Sequence, residues 1–320
     1  MGFKWVVTWV CPRARHDNPG KFDDIVVAFS IFLFLFTVDY ETKSPYFGAI
    51  CGRVANVVAG AQFDLEGQTY KLYENRPPLS VHGGKAGFDK KTWQAEVVGD
   101  NKLSLTYVSP HLEENYPGEL TSSVTYSLDD HSALTLQYAA TTTRTTVLNL
   151  TNHAYFNLAG HGHGHLNDHR LKVFSDKYLV LDDIYVPTGE IQKVDGSPFD
   201  FQSPVKVDVS RLQSIQDGLG YFNTFPLENA GQLKLAARME HAPTGRYLEC
   251  RTTEPGVSFY TSGYMPQIAG KAGAQYKQFC AFSLEAQHFP DSIHHPNFPT
   301  TVLKSGETYT QTTVYTFGVM

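Results

Sequence analysis

Apolar and polar residues alternate with a period of two along much of this chain. The alternation is clearest in residues 102–108, 122–128 and 133–138, as expected for strands with one buried and one exposed face. Residues 147–158 and 247–262 are rich in β-branched and aromatic side chains, which also favours strands. Glycine and proline turns separate these segments, so the pattern predicts many short strands.

The pattern of a long amphipathic helix is not found, and the best short candidate is residues 210–215. Many short strands with few helices predict an all-β fold, of which sandwiches and barrels are the common forms. The length of 320 residues is compatible with one large unit. We therefore predict a single large antiparallel β-sandwich domain over residues 1–320.

Composition restricts the possible partners and the compartment. The chain has 26 basic and 32 acidic residues, a net charge of −6, so nucleic acid is not an expected partner. Cys11, Cys51, Cys250 and Cys280 form no CxxC pair, which indicates reduced thiols in a reducing compartment such as the cytoplasm. Residues 25–38 are uncharged, but they are fewer than the ~20 that a span requires, so no membrane partner is expected.

Two ionisable residues stand in strongly apolar surroundings. His153 lies within the run 147–158, where a lone histidine is more often a hydrogen-bonded core residue than a catalyst. The polar neighbours Asn152 and Tyr155 favour a functional role, since buried polar groups need each other or a ligand. Glu285 follows an apolar run, where a carboxylate either forms a salt bridge or faces a cleft as a general base.

Further histidines carry weaker signals. His82 precedes two glycines, which let the backbone approach a ligand closely, although a histidine beside a turn is common. Four histidines lie in one glycine-rich segment: His161, His163, His165 and His169. Because no cysteine or carboxylate accompanies them at a metal-binding spacing, a solvated loop is favoured over a metal site. Phosphate-binding loops, serine nucleophile elbows and HExxH motifs are absent from the sequence.

Eight segments, in their order along the chain, resemble one family, the aldose 1-epimerases. They are SPYFGAICGRVAN (44–56), LSVHGG (79–84), GFDKKTW (87–93), TNHAYFNLAG (151–160), VPTGEI (186–191), PFDF (198–201), EPGVSFYTS (254–262) and LEAQHFPD (284–291). The resemblance implies a large β-sandwich of the galactose mutarotase type, in agreement with the period-two pattern. It also implies an isomerase that acts on hexoses such as galactose and glucose.

The resemblance implies roles for five residues. The histidine of the family's NH-x-YFNL string is the general acid, here His153, and the glutamate of its LE-x-Q string is the general base, here Glu285. His82 would bind and polarise the sugar, with Asn56 and Tyr155 in the same pocket. The implied reaction opens the pyranose ring with Glu⁻ and HisH⁺, which attract one another, and it needs neither metal nor cofactor.

Three pocket positions depart from the family pattern. Val57 stands where the family has Arg, Phe222 replaces the Asp of GYDHNF, and Ser258 replaces a Gln. Each lost polar contact weakens sugar binding by about 1–3 kcal/mol if its partner is left unsatisfied. A sugar-binding or sensing protein with little turnover is therefore the main alternative. An epimerase of phosphorylated hexoses and a structural module without ligand are further alternatives.

The N-terminal part also departs from the family pattern. The segment that normally precedes the early strands is shortened. Residues 30–37, SIFLFLFT, place apolar side chains where a polar loop is expected, which creates an aggregation liability. We interpret this segment as an insertion or as a faulty gene model.

Overall fold

The computed structural model describes residue 40 and residues 43–228 and 230–320. The expectations for residues 25–38, for the insertion at 30–37 and for Cys11 lie outside these described residues. Within them, no helix combines the length and the apolar character that a membrane crossing requires. Cys51, Cys250 and Cys280 are free and buried, as predicted for these three.

The described residues form twenty-four strands. They are β1 Ile50–Cys51, β2 Val57–Val58, β3 Gln62–Leu65, β4 Gln68–Lys71, β5 Ser80–Val81, β6 Gln94–Val98, β7 Lys102–Ser109, β8 Leu120–Leu128, β9 Ala133–Thr142, β10 Thr146–Val147, β11 Thr151–Asn152, β12 His169–Val173, β13 Lys177–Leu181, β14 Pro187–Lys193, β15 Val205–Lys206, β16 Phe222–Pro226, β17 Lys234–His241, β18 Arg246–Thr252, β19 Gly256–Tyr260, β20 Ile268–Ala269, β21 Gln275–Tyr276, β22 Ser283–Gln287, β23 Val302–Leu303 and β24 Thr308–Val319. One short α-helix, α1, spans Val209–Leu212, and 3₁₀ turns span Ala59–Ala61, Phe88–Lys90, Glu113–Asn115, Gln216–Gly218, Lys271–Gly273 and Ser292–His294.

A nine-stranded antiparallel sheet is the largest element of the fold. Its strand order is β15-β12-β17-β18-β24-β9-β8-β7-β6. The three strands predicted from the clearest alternation are β7, β8 and β9, which pair consecutively within it. In β8, buried positions alternate with more exposed ones, because one face covers the core. The all-β prediction is therefore confirmed.

Smaller sheets cover the buried face of the large one. The most important is the three-stranded antiparallel sheet β16-β19-β22, accompanied by the pairs β1-β11 and β2-β5. Val124 and Leu136 of the large sheet belong to the same apolar cluster as Val257, Phe259 and Leu284 of the three-stranded sheet. On the other face of β19, Gly256 and Ser258 are also buried and Tyr260 is half-buried, so much of this second face is covered as well.

Two of the segments expected to be strands are interrupted. Residues 147–158 contain only the last residue of β10, the strand β11, and isolated bridges at Asn149 and Phe156. The reason is local: side-chain oxygens of Asn152 and Asn157 accept the backbone N–H groups two residues further on, and such bonds compete with a sheet ladder. Residues 247–262 divide into β18 and β19, which belong to different sheets.

The expected short helix exists, at slightly different bounds. It spans Val209–Leu212 rather than residues 210–215. Asp208 caps it, because the Asp208 side chain accepts a hydrogen bond from the backbone N–H of Arg211.

The prediction of a solvated histidine loop is wrong for His169. His163 is exposed and His161 and His165 are half-buried, whereas His169 begins β12 and is 0% exposed. Its Nε2 accepts the backbone N–H of Leu158 at 2.9 Å. In the described part of the chain, none of these four histidines belongs to a group that could share a metal ion.

Candidate active site

All eight residues that the family resemblance assigns to the pocket line one cavity of about 390 Å³. They are Asn56, Val57, His82, His153, Tyr155, Phe222, Ser258 and Glu285. The first and the last of these residues are more than two hundred positions apart in the chain, so only the fold brings them together. The cavity lies on the face of the three-stranded sheet that is turned away from the main core.

The register of the three-stranded sheet sets the floor of this cavity. Thr224 lies opposite Ser258, and Ser258 lies opposite Glu285. Phe222 and Tyr260 lie two residues further along β16 and β19, on the same face because side chains alternate with a period of two. Adjacent strands are about 4.8 Å apart, so Glu285 and Phe222 mark opposite edges of the floor.

His153 approaches Glu285 from the edge of β22 opposite to β19. Its backbone N–H donates to Ala49 O at 2.8 Å, directly after the β1-β11 pair. The segment is held beside β22 by the isolated bridge between Phe156 and Phe282, the residue that precedes β22. His153 Nε2 lies 3.5 Å from Glu285 Oε1, which places the predicted acid and base side by side.

Glu285 is almost completely buried. Its side chain is 4% exposed, and Oε1 accepts a hydrogen bond from the hydroxyl of Ser283 at 2.8 Å. Oε2 has no hydrogen-bond partner among the described residues. A buried carboxylate oxygen without a donor is costly, so Glu285 is well suited to accept a hydrogen bond from a ligand hydroxyl.

Burial determines the protonation of the pair. It lowers the pKa of His153 to about 4, and it raises the pKa of Glu285 against the opposing effects of His82 and the Ser283 hydrogen bond. The 3.5 Å separation would by itself favour an ion pair, but loss of hydration is the larger effect. Both shifts favour the neutral forms of the two groups, which opposes the mutual attraction expected to keep them charged.

His82 has a fixed tautomer. The backbone N–H of Asn56 donates to His82 Nδ1 at 3.2 Å, so in the neutral ring the proton resides on Nε2. Burial, followed by the proximity of His153, lowers the pKa of His82 to about 3, which keeps the ring neutral. His82 can therefore donate one hydrogen bond to a ligand.

The same tautomer bears on metal binding. Ligand atoms of His82, His153 and Glu285 lie within 4.8 Å of one another, close enough to surround one ion. However, Nδ1 of His82 already accepts a hydrogen bond from Asn56, and Nε2 carries the proton. Because metal coordination needs a free imidazole lone pair, the arrangement suits a sugar oxygen better than a metal ion.

Tyrosine rings hold His153 in place. The Tyr155 ring stacks on it at a centroid distance of 4.8 Å, and the Tyr46 ring stacks on it at 5.7 Å. The Tyr155 hydroxyl donates to Pro45 O at 3.2 Å. Tyr46 was not identified from the sequence as a site residue, although it lies within the matching segment 44–56.

The three altered positions give the cavity lining fewer polar atoms than the family's Asp, Arg and Gln would. The Phe222 ring packs edge-to-face on the Tyr185 ring, with 4.7 Å between the ring centroids. It also lies against the Tyr264 ring, at a centroid distance of 5.8 Å. Val57 is buried and pairs with Val81. Ser258 Oγ is already bonded within the protein, to Thr224 Oγ1 at 2.6 Å and to Gln287 Nε2 at 2.6 Å.

Known proteins are similar to this chain over most of its length. Residues 27–316 match the family model for aldose 1-epimerase. A galactose mutarotase from Sus scrofa is 41% identical over 318 residues, which cover 98% of this chain and 90% of the relative. An aldose 1-epimerase from Haemophilus influenzae is 34% identical over 286 residues, covering 87% of this chain and 83% of the relative.

A solved structure supports the same relationship. The aldose epimerase homologue from C. elegans superposes with a TM-score of 0.83 at 26% identity, covering 91% of this chain and 88% of that chain. The fold is thus of the galactose mutarotase type. The chain belongs to the aldose 1-epimerase family.

Proposed function

We propose that this protein is an aldose 1-epimerase, an isomerase that interconverts the α and β anomers of hexoses such as galactose and glucose. The observation that carries the proposal is the pair formed by His153 and Glu285, 3.5 Å apart and buried in one cavity. The names of the relatives from Sus scrofa and Haemophilus influenzae support the same activity. A cytoplasmic location remains a prediction from the cysteines.

The reaction needs one base and one acid at the anomeric centre. Glu285 takes the proton of the C1 hydroxyl, the C1–O5 bond breaks, and its electron pair goes to O5, which takes a proton from His153. The open-chain aldehyde turns about its C1–C2 bond. O5 then attacks the other face of C1, returns its proton to His153, and O1 regains a proton from Glu285. General acid–base catalysis of this kind typically contributes about 10²–10⁴-fold to a rate.

His82 and Tyr155 assist this pair in different ways. The Nε2–H of His82 donates to a sugar oxygen held between the acid and the base, a role that follows from its hydrogen bond with Asn56. Tyr155 is part of the cavity wall and its ring lies against the imidazole of His153. It therefore orients the acid as well as contacting the sugar.

The proposal is tested by polarimetry with fresh α-D-galactose and α-D-glucose. We expect the wild-type protein to accelerate the approach to anomeric equilibrium. The His153→Gln and Glu285→Gln variants should each lose about 10²-fold or more in kcat. His163→Ala is the matched control, because His163 is exposed and lies outside the cavity lining.

A sugar-binding protein with little turnover would give a different result. Sugar would bind in a calorimetric titration, and the folded wild-type protein would leave the polarimetric rate at that of buffer. That combination would overturn the enzymatic proposal. The apolar residues Val57 and Phe222 in the cavity wall are the feature that favours this alternative.

A further inference from the structure

His153 lacks the hydrogen bond that normally orients a catalytic imidazole. In such histidines one ring nitrogen takes part in the chemistry, and a hydrogen bond at the other nitrogen sets the plane of the ring. His153 Nε2 faces Glu285 at 3.5 Å, whereas Nδ1 is buried and has no hydrogen-bond partner among the described residues. The imidazole of His153 is therefore oriented by the rings that pack against it.

Tyr46 packs against both histidines of the cavity. Its ring centroid lies 5.7 Å from that of His153, with 18° between the two planes, and 4.6 Å from that of His82. The centroids of the two imidazoles are 5.3 Å apart, so the three rings form one cluster. Tyr46 also lines the cavity. A single phenol ring thus contacts both the proposed acid and the proposed hydrogen-bond donor to the sugar.

The backbone around Tyr46 is tied to the segment that carries His153. Before Tyr46 in the chain, Pro45 O accepts a hydrogen bond from the Tyr155 hydroxyl at 3.2 Å. After Tyr46, the backbone N–H of Gly48 donates to His153 O at 3.0 Å. These two bonds bracket Tyr46, so the loop that presents its ring is fastened to the segment that presents the acid.

Tyr46 holds this place in a backbone conformation that is unfavourable for tyrosine. Its φ is 66°, in the left-handed region, where the β-carbon crowds the following carbonyl oxygen. Glycine adopts this region readily, whereas a bulky side chain there is an outlier. Strained residues persist where the surrounding structure over-determines them, and they are concentrated at active sites. In this loop the hydrogen bonds of Pro45 and Gly48 supply the constraint, and its result is an aromatic ring against both imidazoles.

We propose that Tyr46 is a positioning residue of the epimerisation, whose ring holds His153 and His82 in the mutual arrangement that the reaction needs. The proposal rests on the proposed epimerase function and adds a residue to it. In that reaction His153 gives a proton to O5 while His82 donates a hydrogen bond to a sugar oxygen, so both imidazoles meet the same sugar at once. A small misplacement of the acid is costly, since a shift of about 1 Å can lower a rate about 10²-fold.

The test is polarimetry of three variants over a range of α-D-galactose concentrations. We expect kcat to fall by about tenfold or more in Tyr46→Gly and in Tyr46→Ala, with a smaller change in KM. Tyr46→Phe keeps the ring and should retain most of the wild-type kcat. A wild-type kcat in Tyr46→Ala, a loss confined to KM, or an equal loss of kcat in Tyr46→Phe would each overturn the positioning role alone. If the wild-type protein does not accelerate the reaction, the epimerase function fails and this role fails with it.

Urea unfolding of the same variants separates positioning from a general loss of stability. Glycine relieves the left-handed strain and alanine does not, so the urea midpoint of Tyr46→Gly should exceed that of Tyr46→Ala, although both variants lose kcat. A wild-type kcat in Tyr46→Gly would show that stability, and not the ring, sets the rate. Glu66→Gly is the matched control, because Glu66 is exposed, has a φ of 51° and lies outside the cavity lining. It should keep the wild-type kcat, and a loss there would likewise count against the proposal.

Discussion

His169 should make this protein less stable at acidic pH, and replacing it with glutamine should remove part of that sensitivity. The side chain is fully buried at the start of β12. Its Nε2 accepts from Leu158 N at 2.9 Å, and Nδ1 faces Leu166 O at 3.1 Å and Asn167 O at 3.2 Å. One nitrogen accepts and the other donates, which describes a neutral imidazole. His241 packs against it.

The sign and size of the effect follow from the pKa of His169. Burial, with a smaller contribution from His241, lowers this pKa from 6.5 to about 4. Between pH 6.5 and pH 4 the unfolded chain binds a proton at this residue and the folded protein does not, so stability falls as the pH falls. At pH 5 the loss relative to pH 8 is about 2 kcal/mol, from about 1.4 kcal/mol per pH unit.

The variant His169→Gln separates this effect from ordinary loss of packing. Glutamine does not titrate, so its structural cost is the same at every pH, whereas the acid-dependent loss disappears. Urea unfolding at pH 5, 6, 7 and 8 should therefore give a free energy of unfolding that falls about 2 kcal/mol less in the variant between pH 8 and pH 5. His163→Gln, at an exposed site, is the control. Equal pH dependence in His169→Gln and wild type would refute the reasoning.

Three further predictions concern the site and its support. Arg53→Met should lower the free energy of unfolding by about 3 kcal/mol or more. The reason is that Arg53 is 2% exposed and donates hydrogen bonds to three backbone carbonyls, those of Ser109, Pro110 and Pro117. A loss below about 1 kcal/mol in urea unfolding would contradict this prediction. Tyr155→Leu removes the ring stacked on His153 and should lower kcat by about tenfold or more. Tyr155→Phe keeps the ring and should lower kcat less. Equal kcat values for the two variants would speak against the positioning role. The reaction needs one proton on the His153–Glu285 pair, and burial lowers the pKa of His153 to about 4, so kcat/KM should rise as the pH falls from 8 towards 5. A plateau over that range would mean that the pair already holds this proton at pH 8.

The sequence predicts the large sheet well because its strands are half-buried. In β7, β8 and β9 the alternation of apolar and polar residues reports directly which face meets the core. The segment 147–158 has the same residue types, yet two asparagine side chains satisfy the backbone locally and interrupt it. Composition alone does not distinguish these outcomes, because β-branched and aromatic residues fit both.

The site residues were accessible from the sequence for a different reason. His153 and Glu285 are polar residues in apolar runs, and the resemblance supplied their pairing across the fold. Tyr46 was missed and His169 was misjudged because their roles depend on contacts outside their own short sequence motifs: Tyr46 stacks on His153, and His169 accepts a hydrogen bond from Leu158. Neither contact leaves a local pattern in the chain.

Burial of the acid–base pair has two opposite consequences in this protein. It isolates Glu285 Oε2 from any donor among the described residues, which lowers stability but leaves the oxygen free to accept a hydroxyl group of a sugar. It also depresses the pKa of His153, which makes the protonated histidine a strong acid but a rare one at neutral pH. Local costs of this kind are expected where a fold is adapted to bind and react rather than to pack. The sugar itself, by donating to Glu285 and accepting from His82, would offset the first cost when it binds.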